Sequence, residues 1–268
     1  MGVLFDVRLP AMLMEHLAAL RRFSGLCERR CAACLTVFEP EAGKGDALSQ
    51  SLCPGCRARI VRREAGFCPY CGEPFALSDA PCVPCGKCLR VLPPWREFLF
   101  FGVYEGLLRE LILRGKFGAS LASLRFLGEL LADVCSAYYA AATLPDAVIP
   151  MPLHVRRLRE RGYNQCRELV RPLSARLGVP VRDDMLLRAE ETAMQATLDR
   201  ERRLSMGRPF VAGAVRGMRV LLVDDVCTTG TTLTRAAECL LQAGALYVDV
   251  AVVARSSSHT PPETLSRA

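Results

Sequence analysis

The stretch Arg219-Val-Leu-Leu-Val-Asp-Asp-Val-Cys-Thr-Thr-Gly-Thr-Thr-Leu233 decides the fold of this chain. Its apolar run, Val220–Val223, predicts a buried strand that ends at two adjacent acids. A short loop of small hydroxyl residues follows the acids. A helical pattern of apolar residues then begins at Leu233 and stops at Gly244, a residue type that commonly ends helices. The sequence therefore predicts a strand, a tight loop and a helix in immediate succession.

The loop between this strand and helix has the chemistry of a phosphate site. Backbone N–H groups and the positive end of the helix point toward an anion in such an arrangement. Gly230 permits a turn that a Cβ would obstruct. Asp224 and Asp225 repel phosphate, but carboxylates accept hydrogen bonds from sugar hydroxyls. The stretch therefore predicts a site for a ribose 5-phosphate; the alternative is an ordinary strand-to-helix turn with threonine caps.

The same segment resembles the signature of the type I phosphoribosyltransferases. In that family the two acids hold the ribose 2′- and 3′-hydroxyls of phosphoribosyl pyrophosphate (PRPP), and the threonine-rich loop takes the 5′-phosphate. The resemblance implies that Asp224 and Asp225 are the catalytic acids of this chain. It also implies a PRPP-binding set made of both acids and the seven residues that follow them: Val226, Cys227, Thr228, Thr229, Gly230, Thr231 and Thr232.

Composition limits the class of protein. With 268 residues, of which 51% are hydrophobic, the chain can hold one or two domains with a substantial core. Its net charge of +7 favours polyanions: a pyrophosphate-bearing substrate, nucleic acid or an acidic partner. The longest apolar region, 119–144, is interrupted every four residues by Arg125, Glu129 and Asp133, which predicts a surface helix and excludes a membrane span. Because the N-terminus lacks a secretory pattern, we expect a cytoplasmic protein.

The cysteines predict metal sites. Ten of the fourteen lie between Cys27 and Cys88, mostly as Cys-x-x-Cys pairs, and four pairs far exceed what a redox dithiol needs. Four thiolates from two such pairs form a closed tetrahedral structural zinc site. We therefore predict two zinc ribbons, with these ligands: Cys31, Cys34, Cys53 and Cys56 in the first, and Cys68, Cys71, Cys85 and Cys88 in the second.

The spacing leaves the pairing of these cysteines open. A cross-braced arrangement, in which the first and third pairs share a metal, fits equally well. Cys82 is an alternative ligand to Cys85 or Cys88, and Cys27 is an alternative to Cys31. The remaining cysteines, in the C-terminal part of the chain, are predicted to be small buried hydrophobes.

The order of elements predicts an α/β protein with a mainly parallel sheet covered by helices on both faces. Strands are predicted at 98–104, 146–152, 220–223 and 247–253, and helices at 107–113, 119–139 and 155–177, the last interrupted at Gly162. The predicted domains are an N-terminal amphipathic helix (1–26), a double zinc ribbon (27–92), a phosphoribosyltransferase-like domain (93–256) and a disordered tail (257–268).

Zinc ribbons ahead of this signature resemble the ComF family, which includes late competence proteins of natural DNA uptake. The likeness extends to Pro150-Met-Pro-Leu-His154, to Arg157–Gln165 and to Gln195. It implies PRPP binding with Mg²⁺ and a role in DNA uptake, with single-stranded DNA, a competence helicase or other DNA-processing proteins as partners. Whether the chain is a phosphoribosyltransferase enzyme, and whether it forms an oligomer, is left open; the alternative is a non-catalytic PRPP sensor or adaptor that binds single-stranded DNA or a protein through the ribbons.

A third group of candidates concerns the departing pyrophosphate. A break in the predicted helix is interpreted as a mobile hood whose arginine binds the pyrophosphate; it consists of Arg161, Gly162, Tyr163, Asn164 and Gln165. The alternative interpretation is a helix face exposed to solvent. Lys116 is a further candidate for binding an anion; the alternative is that it is an ordinary surface lysine. His154 is either a general acid or a polar group that closes the strand.

The acceptor of the ribosyl group has no recognisable segment in the sequence. Gln195, Arg200 and Arg203 are candidate contacts for an acceptor or a nucleic acid. If the ribbons bind nucleic acid, the arginines that would follow its backbone are Arg57, Arg59, Arg62 and Arg63.

Overall fold

A computed structural model of the chain describes residues 28–40, 45–189 and 209–257. It divides into two compact units on either side of the Ala58–Arg59 bond. That division falls inside the predicted zinc-ribbon segment 27–92, after its first cysteine set; the domain boundaries stay a prediction. Some predictions lie outside the described residues: the N-terminal helix within 1–26, Cys27, Gln195, Arg200, Arg203 and the tail beyond Ser257. Within the described ranges, no helix is both long enough and apolar enough to span a membrane.

The first unit is small and built around its cysteines. Strands β1 (Arg29–Arg30) and β2 (Val37–Phe38) pair antiparallel. Helix α1 (Ala47–Ser51) starts at Asp46, whose Oδ1 accepts a hydrogen bond from the Ser49 amide at 2.9 Å. Helix α2 (Pro54–Arg57) begins with proline, which suits the first helical position because its missing N–H has no partner there.

The second unit contains the other cysteines and the α/β part. It begins with helix α3 (Gly86–Arg90). The remaining elements follow in this order: β3 (Phe98–Val103), α4 (Gly106–Phe117), α5 (Leu121–Tyr139), β4 (Ala147–Pro150), α6 (Val155–Arg161), α7 (Gln165–Leu177), β5 (Leu186–Arg188), β6 (Phe210–Ala212), β7 (Arg219–Cys227), α8 (Thr231–Gln242) and β8 (Tyr247–Arg255).

The central sheet has four parallel strands in the order β3-β8-β7-β4. Along β8, Val248 and Val250 belong to the apolar core that includes α8, whereas Asp249 accepts a hydrogen bond from Tyr139 of α5 at 2.8 Å. Since neighbouring residues of a strand point to opposite faces, helices cover both faces of the sheet. The predicted α/β architecture is confirmed.

Strand β7 is longer than its apolar run predicts. Its pairing with β8 continues past Val223 through Asp224, opposite Val252, to Cys227, opposite Arg255. The acids therefore lie within the strand and do not follow it. Ladder hydrogen bonds from a central neighbour outweigh the weak strand preference of aspartate here.

Two other predictions about the helices are refined by the structure. The interruption of 155–177 is confirmed: Gly162, with φ of +78°, ends α6, and α7 begins at Gln165. The charged stripe of α5 does not face water along its whole length, because Arg176 of α7 lies 2.8 Å from both Glu129 and Asp133. The short antiparallel pair β5–β6 was not predicted, since its strands have only three residues each.

Candidate functional site

The threonine-rich loop connects the end of β7 to the start of α8. Gly230 is the residue before α8 and has φ of +79°, a conformation that costs other residues strain. A Cβ there would lie 3.8 Å from Cys227 Sγ and from the Trp95 ring, which is ordinary contact, so the backbone conformation and not crowding requires the glycine. Thr228, Thr229, Thr231 and Thr232 are exposed, and the loop is open to a ligand.

Asp225 is held by two side chains from distant parts of the chain. It is buried, at 5% exposure. Its Oδ1 lies 2.7 Å from Lys116 Nζ, and its Oδ2 accepts a hydrogen bond from Gln165 Nε2 at 3.0 Å. Burial lowers the pKa of Lys116, but the Asp225 carboxylate outweighs burial and leaves that pKa raised. Lys116 and Gln165 were predicted as contacts of pyrophosphate; in the structure both contact an acid.

Asp224 is the more accessible of the two acids. Its Oδ1 accepts hydrogen bonds from the Asp225 amide at 2.8 Å and from the Cys166 thiol at 3.2 Å. Because both bonds use Oδ1, Oδ2 is the oxygen best placed to meet a ligand. Burial, followed by repulsion from Asp225, raises the pKa of Asp224 to about 7.

Cys166 was predicted to be only a small buried hydrophobe, and this prediction is incomplete. The residue is buried, but its thiol is also a hydrogen-bond donor to an acid. Burial, with repulsion from Asp224 as the next cause, raises the pKa of the Cys166 thiol well above its usual value. The thiol is therefore kept protonated, which suits a donor and not a nucleophile. Cys227, predicted like the other cysteines of this part of the chain to be a small buried hydrophobe, is buried.

The candidate hood residues assemble beside the acids. Asn164 caps α7 by accepting from the Cys166 amide at 3.0 Å, and it donates to the Met151 carbonyl at 3.1 Å. Tyr163 donates its hydroxyl to the Gly115 carbonyl in α4. Arg161 donates to Gln165 Oε1 at 2.9 Å. The segment thus links the end of α4, the loop after β4 and the acid pair.

Arg161 and His154 lie at the two ends of α6. The Arg161 guanidinium lies 5.1 Å from the centre of the Phe117 ring. His154 precedes α6, and its Nδ1 accepts a hydrogen bond from the Arg156 amide at 3.1 Å. This contact caps α6. Both interpretations of His154, as a general acid and as a polar group that closes the strand, stay predictions.

Each of the two predicted cysteine sets forms a cluster. The four sulfur atoms lie within 4.8 Å of one another in the set Cys31, Cys34, Cys53, Cys56 and in the set Cys68, Cys71, Cys85, Cys88. The cross-braced alternative is therefore wrong, and Cys82 belongs to neither cluster. Four thiolates at this spacing fit a closed structural zinc site.

The second cysteine set is connected to the loop through Arg255, which is 5% exposed. Its Nε donates to the Cys71 carbonyl at 2.9 Å, and its Nη1 donates to the Cys227 carbonyl at 3.1 Å and to the Thr228 carbonyl. Its Nη2 pairs with the Glu73 carboxylate. One buried guanidinium therefore joins the backbone of a predicted metal ligand to the backbone of the loop.

A cavity of about 1130 Å³ lies between the second cysteine set and the loop. Lys87, Trp95 and Thr229 line it, but neither acid does. Lys87 also donates to the Thr229 carbonyl at 3.3 Å. Sequence reasoning missed the Arg255 bonds, this cavity and the Lys116–Asp225 pair, because each joins residues far apart in the chain. Only the last had a signal: two adjacent acids on a buried strand need a nearby cation.

Comparison with known proteins supports this description. A family model described as "Phosphoribosyl transferase domain" matches residues 164–265. Together with the parallel sheet and its helices, the match gives the second unit the type I phosphoribosyltransferase fold. The solved structure of the glutamine PRPP amidotransferase from B. subtilis with ADP and GMP is 22% identical, over 50% of this chain and 26% of that chain. Its TM-score of 0.34 is too low to support any conclusion about this chain.

Several curated bacterial proteins match most of the chain, among them these two. "DNA utilization protein YhgH" of Salmonella typhimurium is 36% identical over 214 residues, which are 76% of this chain and 90% of the relative. "Competence protein F" of Haemophilus influenzae is 33% identical over the same shares of both chains. With this degree of identity across nearly the whole length of both relatives, the chain belongs to the ComF family.

Proposed function

We propose that this chain binds PRPP at the end of β7. We also propose that it acts in the use or uptake of DNA, as the names of its relatives indicate. The ribose hydroxyls lie on Asp224 and Asp225, and the 5′-phosphate lies on Val226–Thr232. The observation that carries the proposal is the open loop: four exposed threonines around a left-handed Gly230, directly after two acids and directly before a helix.

The chemistry of the loop supports the phosphate part. Backbone N–H groups at the start of α8 have no earlier carbonyl to bind within the helix, and they lie at the positive end of its dipole. The Thr229 and Thr231 hydroxyls, 2.9 Å apart, are hydrogen-bonded to each other, which leaves one of the two O–H groups as a further donor. An anion with three acceptor oxygens satisfies this set of donors.

The acid pair supports the ribose part. Asp224 presents Oδ2, and each carboxylate oxygen of Asp225 has a second lone pair beyond the one used by Lys116 or Gln165. Two adjacent hydroxyls match two adjacent acids. The candidates Lys116, His154 and Arg161–Gln165 stay predictions as groups that act on the pyrophosphate.

Calorimetric titration of the zinc-loaded protein with PRPP tests the binding. We expect Asp224→Ala and Thr229→Ala to weaken binding, and Arg90→Ala, an exposed change on α3, to leave it unchanged. Equal affinity in all four proteins would show that the ligand does not lie at this site. Asp225→Ala needs a thermal unfolding control, because it leaves the Lys116 ammonium buried without its partner.

Turnover separates an enzyme from a sensor or adaptor. The enzyme releases pyrophosphate from PRPP in the presence of an acceptor, and catalysis then rests on holding the ribose while charge develops at C1. Release assayed with nucleobases and with single-stranded DNA distinguishes the two functions. Binding of PRPP without release of pyrophosphate in the presence of any of these acceptors identifies a sensor or adaptor.

Zinc is the metal we propose for both cysteine sets, since four closed thiolates favour zinc and leave no position for catalysis. Magnesium is predicted to accompany PRPP, but the residues at the acid pair are poor ligands for it. Asp224, Asp225 and Cys166 cluster closely enough to hold an ion, but the Lys116 ammonium lies against Asp225, and a thiol is a poor ligand for Mg²⁺. These residues do not fit Mg²⁺.

Binding of single-stranded DNA stays the second candidate, on the strength of the relatives' names. Two of the four arginines predicted to follow its backbone, Arg59 and Arg63, contact other groups of the second unit. Arg59 lies 3.4 Å from Glu110, and Arg63 donates to the Gly66 and Phe75 carbonyls at 2.8 Å. Affinity for single-stranded DNA that falls steeply with salt supports this function, and a flat salt response excludes it.

A further inference from the structure

The cation at the acid pair is a residue of the chain itself. Lys116 Nζ lies 2.7 Å from Asp225 Oδ1, and the two side chains are 19% and 7% exposed. Two adjacent carboxylates in so dry a place repel each other strongly unless a positive charge offsets them. The ammonium supplies that charge from the last turn of α4.

The position of Lys116 is fixed by its surroundings. The residue before it, Gly115, accepts a hydrogen bond from Tyr163, and the residue after it, Phe117, lies under the Arg161 guanidinium. A Cβ on Gly115 would come within 2.4 Å of Leu124, so this part of α4 packs directly on α5. Gln165 holds the other oxygen of Asp225 at 3.0 Å. The ammonium is therefore held in a packed network and is not the end of a mobile, solvent-exposed side chain.

The Lys116 ammonium opposes the binding of a divalent ion to the same carboxylate. Mg²⁺ approaches carboxylate oxygens to about 2.1 Å and keeps a shell of water around it. At Asp225 it would meet the ammonium, and both charges have the same sign. The ion and Lys116 are thus alternatives at this position.

We propose that Lys116 is the resident cation of the Asp224–Asp225 pair, so that this chain holds ribose 5-phosphate at the pair without a divalent metal. The proposal rests on the proposed function for its ligand. It assigns Lys116 a positioning role: its ammonium pairs with Asp225 and orients that carboxylate. Any metal that accompanies PRPP is held by the pyrophosphate and not by these acids.

The first experiment uses the wild-type protein, loaded with zinc, and ribose 5-phosphate, which has no pyrophosphate to chelate a metal. We expect its dissociation constant to agree within about twofold with and without Mg²⁺, the metal-free arm being prepared by passing buffer over chelating resin. A requirement for Mg²⁺ in the wild-type protein overturns the proposal. This arm needs no variant, so it decides even if a substitution prevents folding.

The second experiment compares Lys116→Met with Arg114→Met, which removes the same charge from the same helix but pairs with Glu110 and not with the acids. Without metal, we expect Lys116→Met to lose about tenfold or more in affinity for ribose 5-phosphate and to recover it on addition of Mg²⁺. A merely structural lysine gives a loss that metal does not repair, and that result overturns the proposal. Arg114→Met is expected to behave as the wild type.

A third measurement does not depend on the sugar ligand. Electron paramagnetic resonance of added Mn²⁺ reports an ion at the acids directly. We expect Lys116→Met to bind Mn²⁺, the wild type to bind none at this position, and Lys116→Met/Asp224→Asn to lose the signal. If neither the wild type nor the variants bind ribose 5-phosphate, the proposed function fails. The Mn²⁺ measurement still decides the role of Lys116, because Mn²⁺ bound at the acids of the wild type contradicts that role.

Discussion

Asp224 has an unusual balance between its neutral and charged forms. Burial and Asp225 raise its pKa to about 7, well above that of aspartate in an unfolded chain. Between about pH 4 and pH 7 the folded chain therefore holds a proton that the unfolded chain has lost, and stability falls as the pH rises through this window. Above pH 7 the full cost of the ionised carboxylate is present.

We expect Asp224→Asn to stabilise the protein at pH 8 by about 1 to 3 kcal/mol relative to the wild type. The asparagine carbonyl keeps both hydrogen bonds now made by Oδ1, and the amide is neutral. The advantage shrinks toward zero as the pH is lowered to 4. Urea unfolding of both proteins across this range is the measurement, and a difference that does not vary with pH contradicts the shifted pKa.

Arg255 is the second residue that we expect to have a large effect on the free energy of unfolding. Because it and Glu73 are both buried, we expect Arg255→Met to leave an uncompensated carboxylate and to lower the free energy of unfolding by about 3 to 5 kcal/mol. The matched control is Arg182→Met, which breaks an exposed pair with Asp184 and costs less than about 1 kcal/mol. Chemical denaturation distinguishes the two, and equal costs would show that the Arg255 pair is not buried in solution.

The loop before α8 depends on a single backbone conformation. Gly230 has φ of +79°, and Gly217, away from the loop, has φ of +72°. Changing either residue to alanine costs about 1 to 2 kcal/mol, since neither Cβ meets a close neighbour and the cost is conformational. We expect only Gly230→Ala to weaken PRPP binding as well, by about tenfold, because it displaces the N–H groups of the loop. Calorimetry and urea unfolding check both effects; the same affinity in Gly230→Ala and Gly217→Ala contradicts the placement of the phosphate.

Secondary structure was largely predictable because its signals are local. Apolar runs gave the strands β7 and β8, and a glycine gave the end of α6. The contacts around the acids were not predictable, because Gln165 and Asp225 are 60 residues apart, and Glu73 and Arg255 are 182 apart. No local pattern encodes which lysine or glutamine the fold brings to an acid. The residue types at the site were thus predicted, but their partners were not.

The two cysteine sets belong to different compact units, and this has consequences for metal removal. The first set lies before Ala58, and the second lies after Arg59 with the loop. We expect Cys34→Ser to remove one of two zinc ions and to leave PRPP affinity unchanged. Cys85→Ser also removes one zinc ion, but it weakens PRPP binding, because Arg255 joins the Cys71 carbonyl to the loop. Metal analysis by mass spectrometry and calorimetry measure both; PRPP binding lost in Cys34→Ser contradicts the division into units.

The order of strands in the central sheet bears on how the protein is made. Strand β8 lies between β3 and β7 although it follows both in the chain, and among the described residues β8 is the one strand that pairs with β3 in this sheet. During synthesis on the ribosome, more than half of the polypeptide is made after Phe98–Val103 before the strand that pairs with it, β8, becomes available. Until Tyr247–Arg255 has left the exit tunnel, the nascent second unit therefore carries an unpaired strand edge, a feature that promotes aggregation of incompletely folded chains.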